Sequence, residues 1–337
     1  MNNDIQMRLF SIIKQKLDGK DNLGGALGDL LHLSPDAIYR RSRNETLLTI
    51  SEVEKICTHY QISFDALLGN SPHHVVFGYK PLSEFDFSLE GYLVSMKQAF
   101  MQLRSSNNPR IRLTTNNLPI FQLLNFPRLS RFRLYFWAKT HLHIDEYRNK
   151  KYKEERVTEA AFNLGADILN AYVNIPTEEC YDSEFLRGFI RQILYYSEAR
   201  LFEEPEHALK LIDDVKNLTE HIREQIISGY KIKYRDEIEN SGSTYEVCLN
   251  DTINTDNTFY YKSDTLEGIY MAHNMLNFLH TTDPIYVQES KSILQKQFAN
   301  SSIISRVNEK QRNDFFHRLF KDIEHAQKQI LANIESA

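Results

Sequence analysis

Residues 39–43, Tyr39-Arg40-Arg41-Ser42-Arg43, carry three guanidinium groups in five positions and no acid. Arginine is a rigid fork of N–H donors, so such a run suits phosphate oxygens and planar acceptor edges. A solvated helix face is the plainer reading of the same five residues. A larger basic excess lies further on. Residues 104–156 carry twelve Lys/Arg and four Asp/Glu, a net of +8. Residues 1–70 and 71–103 are each −1, and residues 157–337 are −11. The net charge of −5 is therefore an average of unlike parts. The basic stretch can bind DNA flanks or a phosphate-bearing effector, or it can pair with the acidic remainder of the chain; the size of that −11 favours pairing.

Other chemistry-bearing residues form weaker patterns. His141, His143, Asp145 and Glu146 are metal-ligating types, but their spacing matches no zinc motif, and a surface cluster is the expectation. Cys57, Cys180 and Cys248 are odd in number and far apart, which fits neither a disulfide framework nor a zinc ribbon. Ser301-Ser302 with Arg306 offers a weak anion contact. No glycine-rich phosphate loop, nucleophile elbow, His-Glu zinc helix or paired-cysteine site occurs, so no enzyme and no cofactor is expected. Met1-Asn2-Asn3-Asp4 lacks the charge and apolar run of a secretory signal, and no stretch approaches the ~20 apolar residues of a membrane span. The expected location is a reducing cytoplasm.

The elements that would position the arginine run are clearly punctuated. Ile5, Leu9, Ile12, Ile13 and Leu17 share one helical stripe, which Asp18-Gly19-Lys20-Asp21-Asn22 breaks. A short helix follows over 23–31. Its glycines Gly24, Gly25 and Gly28 each cost about 1 kcal/mol against Ala, so close approach of a neighbouring backbone is expected there. Ser34 caps the next helix, with Pro35 at its first position and Leu33 and Ile38 as a hydrophobic staple. Thr49-Ile50-Ser51-Glu52 is a capping box with Leu48 and Val53 as its staple, and Ser63 begins a fifth helix that Gly69 can end.

This stretch resembles the DNA-binding domain of the lambda-repressor/Cro type, a helix-turn-helix fold. The resemblance runs without a gap from Leu27 to Gly69. Leu27-Gly28-Asp29-Leu30-Leu31-His32-Leu33-Ser34, Ile38, Arg40, Arg43 and the closing Ile62-Ser63-Phe64-Asp65-Ala66-Leu67-Leu68 carry it. Gly28 holds the position where the family packs a small residue between its second and third helices. His32 stands where the family usually has glycine, and Leu23-Gly24 where it often has a polar phosphate contact. Asn44 and Leu48 replace its usual Gly and Pro.

The resemblance implies that the third helix lies in the major groove with its N-terminal residues at base edges. It assigns DNA contacts to Ser34, Pro35, Asp36, Ala37, Tyr39, Arg40, Arg43 and Asn44. Arg40 and Arg43 can pair bidentately with guanine or hold phosphate, Asp36 can accept from cytosine N4, and Ala37 can touch a thymine methyl. Tyr39 and Arg41 are expected to split, one towards the groove and one inward. A near-neutral domain with one basic helix binds weakly and in a salt-sensitive way, so two copies, a homodimer, are expected on double-stranded DNA.

The rest reads as a linker over 71–83, a helical domain over 84–228 and a small α+β domain over 229–337. Helices are expected over 89–103, from 127 to about 140, over 152–175, over 182–202 and through the long amphipathic run to Ile226. The aromatics of 129–137 read as core rather than as a stacking platform for bases. Residues 110–114, 230–235, 244–249 and 258–261 alternate like strands, 250–257 looks like a hairpin connector, and 269–272 adds another strand with 276–279 a strand or short helix. Helices from Pro284 and over the 315–334 run close the chain. The polar residues of 244–282 can line a pocket or form the wet face of a sheet. The expected fold is mainly α, with a five-helix N-terminal domain, a central helical region and a small antiparallel sheet at the C-terminal end. The central and C-terminal stretches also resemble a group of Bacteroidetes-type helix-turn-helix regulators with a large C-terminal region. That resemblance implies transcriptional regulation by a dimer, with an unidentified small-molecule effector as an option. The competing readings are a protein-interaction module that does not read DNA, and an enzyme with an unrecognised site in 229–337.

Overall fold

The computed structural model describes residues 5–17, 22–68, 75–80, 88–237, 242–252, 257–273 and 276–336. The expected break at 18–21, the helix stop at Gly69, most of the linker and the turn at 253–256 lie outside them. The chain forms two compact units, Met1–Phe77 and Gly78–Ala337.

The first unit holds five helices: α1 (Ile5–Lys16), α2 (Leu23–Leu31), α3 (Pro35–Ser42), α4 (Ile50–Tyr60) and α5 (Phe64–Leu68). Their apolar stripes close one core of Leu9, Phe10, Ile13, Leu23, Leu27, Leu31, Ile38, Ile56, Ile62 and Leu67. The staple residues Leu33, Leu48 and Val53 pack on its margin. The capping box at α4 is complete: Glu52 N–H donates to Thr49 Oγ1 at 3.2 Å and Thr49 N–H donates to Glu52 Oε2 at 2.7 Å. The helix-two glycines divide. A Cβ on Gly28 would stand 2.9 Å from the carbonyl oxygen of Leu33, and one on Gly24 would stand 3.0 Å from Pro35 and Tyr39. Gly25 has nothing near it, so close approach does not account for that residue.

The second unit contains α6 (Leu89–Ser105), β1 (Arg110–Thr115), α7 (Ile120–Leu123), α8 (Pro127–Phe136), a π-helical turn (Trp137–His141), α9 (Asp145–Arg148), α10 (Glu159–Val173), β2 (Thr177–Tyr181), α11 (Arg187–Glu198), α12 (His207–Ser228), β3 (Tyr245–Leu249), β4 (Thr258–Lys262), β5 (Glu267–Ala272), β6 (Phe278–Thr281), α13 (Pro284–Ala299), β7 (Ser302–Ile303) and α14 (Glu309–Glu335). A short 3-10 turn (Glu154–Arg156) precedes α10. The strands form one seven-stranded sheet in the order β6-β5-β4-β1-β2-β3-β7. β1, β2 and β3 run parallel, and every other pairing is antiparallel.

This overturns the expectation of a mainly α chain with a small antiparallel sheet: the second unit is an α/β fold on a mixed sheet. The 228/229 boundary runs through this one unit: β1 and β2, from the segment expected to form a helical domain, pair with β3 and β4 of the segment expected to form a separate α+β domain. Parallel neighbours need long crossovers, and α7–α10 and then α11–α12 supply them. The expected hairpin across 250–257 is absent, since β1 and β2 lie between β3 and β4. Residues 230–235 make a single bridge, Tyr230 to Thr244, rather than a strand. Within the expected linker, Gly78 instead joins the β6 edge by two backbone hydrogen bonds with His280, of 2.6 and 3.0 Å.

The sheet has two unlike faces. Ile111, Tyr181, Tyr245, Val247 and Leu249 enter the large core, which also holds the apolar sides of α6, α8, α10, α11, α12 and α14. Tyr260 and Ile269 point the other way, into a small cluster with Val287 and Leu294 of α13. The 129–137 aromatics are core, as expected: Phe132, Tyr135, Phe136 and Trp137 are all buried.

Candidate nucleic-acid interface

Helices α2 and α3 meet through a turn whose backbone residue His32 takes the left-handed conformation (φ 56°), and its N–H caps the helix on the Gly28 carbonyl. Histidine tolerates this region where β-branched residues do not. α3 is then opened by Ser34, whose Oγ accepts from Ala37 N–H at 3.3 Å, with Pro35 at the first position and Asp36 in the first turn. Asn44 ends the turn after the helix at φ 65°, doing with a tolerated side chain what glycine does freely.

The expected contact residues share an exposed surface. Ser34, Pro35, Asp36, Tyr39, Arg40, Arg43 and Asn44 are exposed and Ala37 is half-buried, while Ile38 anchors the helix in the core. Tyr39 and Arg41 divide as expected, with Arg41 inward. Arg41 NH2 donates to Glu52 Oε1 at 2.9 Å and its NH1 to the Ala37 carbonyl at 3.3 Å. Burial pushes the Glu52 carboxyl up, but the Thr49 N–H and the Arg41 guanidinium outweigh it and hold the group below its ordinary value. The Tyr39 hydroxyl donates a short hydrogen bond to Asn22 Oδ1, which also caps α2 by accepting from Gly24 N–H at 3.0 Å. The exposed face of α3 is thus tied to the N-terminus of α2 by one asparagine.

Two residues that sequence reasoning passed over shape this surface. Gln6 of α1 donates to the carbonyls of Arg41 and Thr46 (2.8 and 2.9 Å) and accepts from Leu48 N–H (2.8 Å), fixing the loop after α3. A buried glutamine on an otherwise apolar helix face was its only signal. Glu45 pairs with both candidate DNA-reading arginines, Arg43 Nε at 2.8 Å and Arg40 Nε at 3.9 Å. An acid two residues past Arg43 marked that possibility. Beside it Leu47 and Ile50 are 70 % and 89 % exposed.

In the second unit the basic stretch meets the acidic half. Arg128 grips Asp214 with two bonds of 2.7 Å, Arg131 reaches Glu159 at 2.6 Å, Arg156 reaches Glu203 at 3.4 Å, and Arg112 pairs with Glu178 across β1 and β2. No group of three or more His, Cys, Asp or Glu side chains able to hold a metal occurs among the described residues, which leaves His141, His143, Asp145 and Glu146 as separate side chains. Ser301 and Arg306 are engaged internally, with the Gln297 and Gly229 carbonyls. Three tyrosines surround the buried Glu179. Tyr172 (2.5 Å), Tyr181 and Tyr245 (3.1 Å) all donate to its carboxylate. Lys231 is buried nearby and donates to the carbonyls of Tyr172 (2.8 Å) and Ile175 (2.6 Å) and to Thr177 Oγ1. With every polar atom answered by a protein partner, this is an internal brace of the sheet.

No described helix is long and apolar enough to cross a membrane. No protein-family model, curated protein or solved structure matches this chain.

Proposed function

We propose that the protein is a DNA-binding transcriptional regulator that acts as a homodimer, with residues 1–70 reading double-stranded DNA and the second unit serving dimerisation and effector sensing. One observation carries this reading: α3 is held by Ile38, Arg41 and the Ser34 cap so that Asp36, Tyr39, Arg40 and Arg43 project together from an otherwise packed helix pair. That is the geometry by which a helix in the major groove presents side chains to base edges. The reading assigns the chain no catalytic step and no cofactor.

A gel-shift salt series tests it, using the full chain and duplexes selected from a random pool. Binding that weakens steeply between about 50 and 200 mM salt is expected, because each phosphate contact released contributes to the slope. Arg40→Ala should relax the preferred sequence and weaken selected-site binding by roughly 1–3 kcal/mol. Absence of binding at low salt would sink the proposal.

A second reading rests on its own observation. Glu45 neutralises part of the α3 charge, and Leu47 and Ile50 stand exposed beside it. An apolar pair next to a balanced charge cluster suits a protein partner. Sequence-independent failure to bind DNA, with a stable protein complex that Ile50→Asp abolishes, would favour it.

A further inference from the structure

Most of the buried or half-buried arginines in the basic stretch find an acid. Arg133 does not. It is 6 % exposed. Its NH1 donates to the neutral Gln192 Oε1 at 3.0 Å, while its Nε has no acceptor. Its guanidinium lies against Phe189 at 4.6 Å and Trp137 at 5.8 Å from the ring centroids. Two further polar atoms on the same helical row are in the same condition. Trp137 Nε1 and His141 Nε2 are both buried without a hydrogen-bond partner among the described residues. Positions 133, 137 and 141 follow one another at steps of four, so they line one side of α8 and the π-helical turn that continues it. π-helical turns interrupt helices at a cost and are frequent at functional sites.

A guanidinium cannot escape burial by losing its proton at neutral pH, and a buried charge without a counter-charge is costly. Indole Nε1–H is a donor only, and histidine is a donor at Nε2 in the matching tautomer. The row therefore offers three donor positions and one uncompensated positive charge. The complementary species carries negative charge and several acceptor lone pairs.

We propose that Arg133, Trp137 and His141 form a binding site for a small oxyanion, a carboxylate or a phosphate, whose oxygen takes the place that Gln192 Oε1 now holds on Arg133. The ligand enters at the end of the π turn, where Thr140 and His143 are exposed and His141 is half-buried. Phe189 and the Trp137 ring exclude water around the guanidinium, which strengthens the ion contact. The inference does not depend on whether the first unit reads DNA.

Trp137 is the single tryptophan of the chain, so its fluorescence reports on this site in the intact protein. The full chain is titrated separately with sodium phosphate and sodium acetate, against sodium chloride at equal ionic strength. A saturable fluorescence change with phosphate, with acetate or with both is expected, and which of them acts identifies the oxyanion. Arg133→Met should weaken that binding at least about tenfold, since it removes a charge-assisted bond. In chloride alone it should melt no lower than the unsubstituted chain, because an unpaired buried charge has gone. His141→Leu, at a half-buried position, carries the same test if the methionine variant fails to fold, and should also weaken binding. No saturable response to either oxyanion, a response that chloride reproduces, or unchanged affinity in a folded variant overturns the proposal.

Discussion

Glu45 makes the DNA reading quantitatively testable. Its carboxylate holds Arg43 at 2.8 Å and Arg40 at 3.9 Å, and all three side chains are roughly half exposed. For the two arginines to reach DNA, both pairs must open. Exposed ion pairs are worth about 0–1 kcal/mol each, so opening the two costs about 1 kcal/mol together. The carboxylate also repels phosphate; at about 8 Å in water that adds about 0.5 kcal/mol. Glu45→Gln removes both penalties and keeps the backbone bond from residue 45 N–H to the Arg40 carbonyl, 2.9 Å in length. The expected gain is about 1.5 kcal/mol, roughly tenfold tighter binding, measured by fluorescence anisotropy at about 50 mM salt and shrinking as salt rises. Glu54→Gln, an equal charge change at another exposed position on α4, is the control and should have a much smaller effect. If the two substitutions act alike, or Glu45→Gln weakens binding, Arg40 and Arg43 do not meet DNA and the assignment of α3 fails.

Two further outcomes concern stability. Burial pushes the Lys231 ammonium down to about 7, with the Glu179 charge opposing. The unfolded chain then binds the extra proton between about pH 7 and the ordinary lysine range, so this residue makes stability rise with pH across that window, by at most about 1.4 kcal/mol per pH unit. Denaturant titrations at pH 7, 8 and 9 should show the rise and Lys231→Met should flatten it; an unchanged slope would refute the assignment. Gln6→Ala leaves the Arg41 and Thr46 carbonyls and the Leu48 N–H without their partner, a loss of about 2–3 kcal/mol. Denaturation of the first unit should register it, and a loss under about 0.5 kcal/mol would show that water replaces the side chain there.

Legibility followed the range of the interaction. The helices of residues 5–68 were readable because their signals are local. Ser34 and Thr49 bond N–H groups three residues on, and the Leu48–Val53 staple spans one turn. Alternation likewise exposed β1, β3 and β4. β2 was missed because Thr177-Glu178-Glu179-Cys180-Tyr181 puts two acids in a strand. Glu179 is tolerated there only because Tyr172, Tyr181 and Tyr245 solvate it, and Glu178 because Arg112 faces it. Tyr245 and Arg112 each stand 66 residues away in sequence. Strand order was equally hidden. Residues 244–249 and 258–261 look like the arms of a hairpin, yet two strands from more than sixty residues upstream lie between them.

The sequence by itself determined the caps, the order of the five N-terminal helices and the side chains that α3 turns outward, because backbone hydrogen bonding and one-turn packing decide those. Tertiary structure alone decided which charges are spent and which are left. Arg41, Arg112 and Arg128 are each answered by an acid brought from elsewhere, Arg40 and Arg43 share one exposed carboxylate, and Arg133 is buried with none among the described residues. Charge is written residue by residue, but whether it is compensated depends on what the fold sets beside it, and in this chain that is where the candidate chemistry lies.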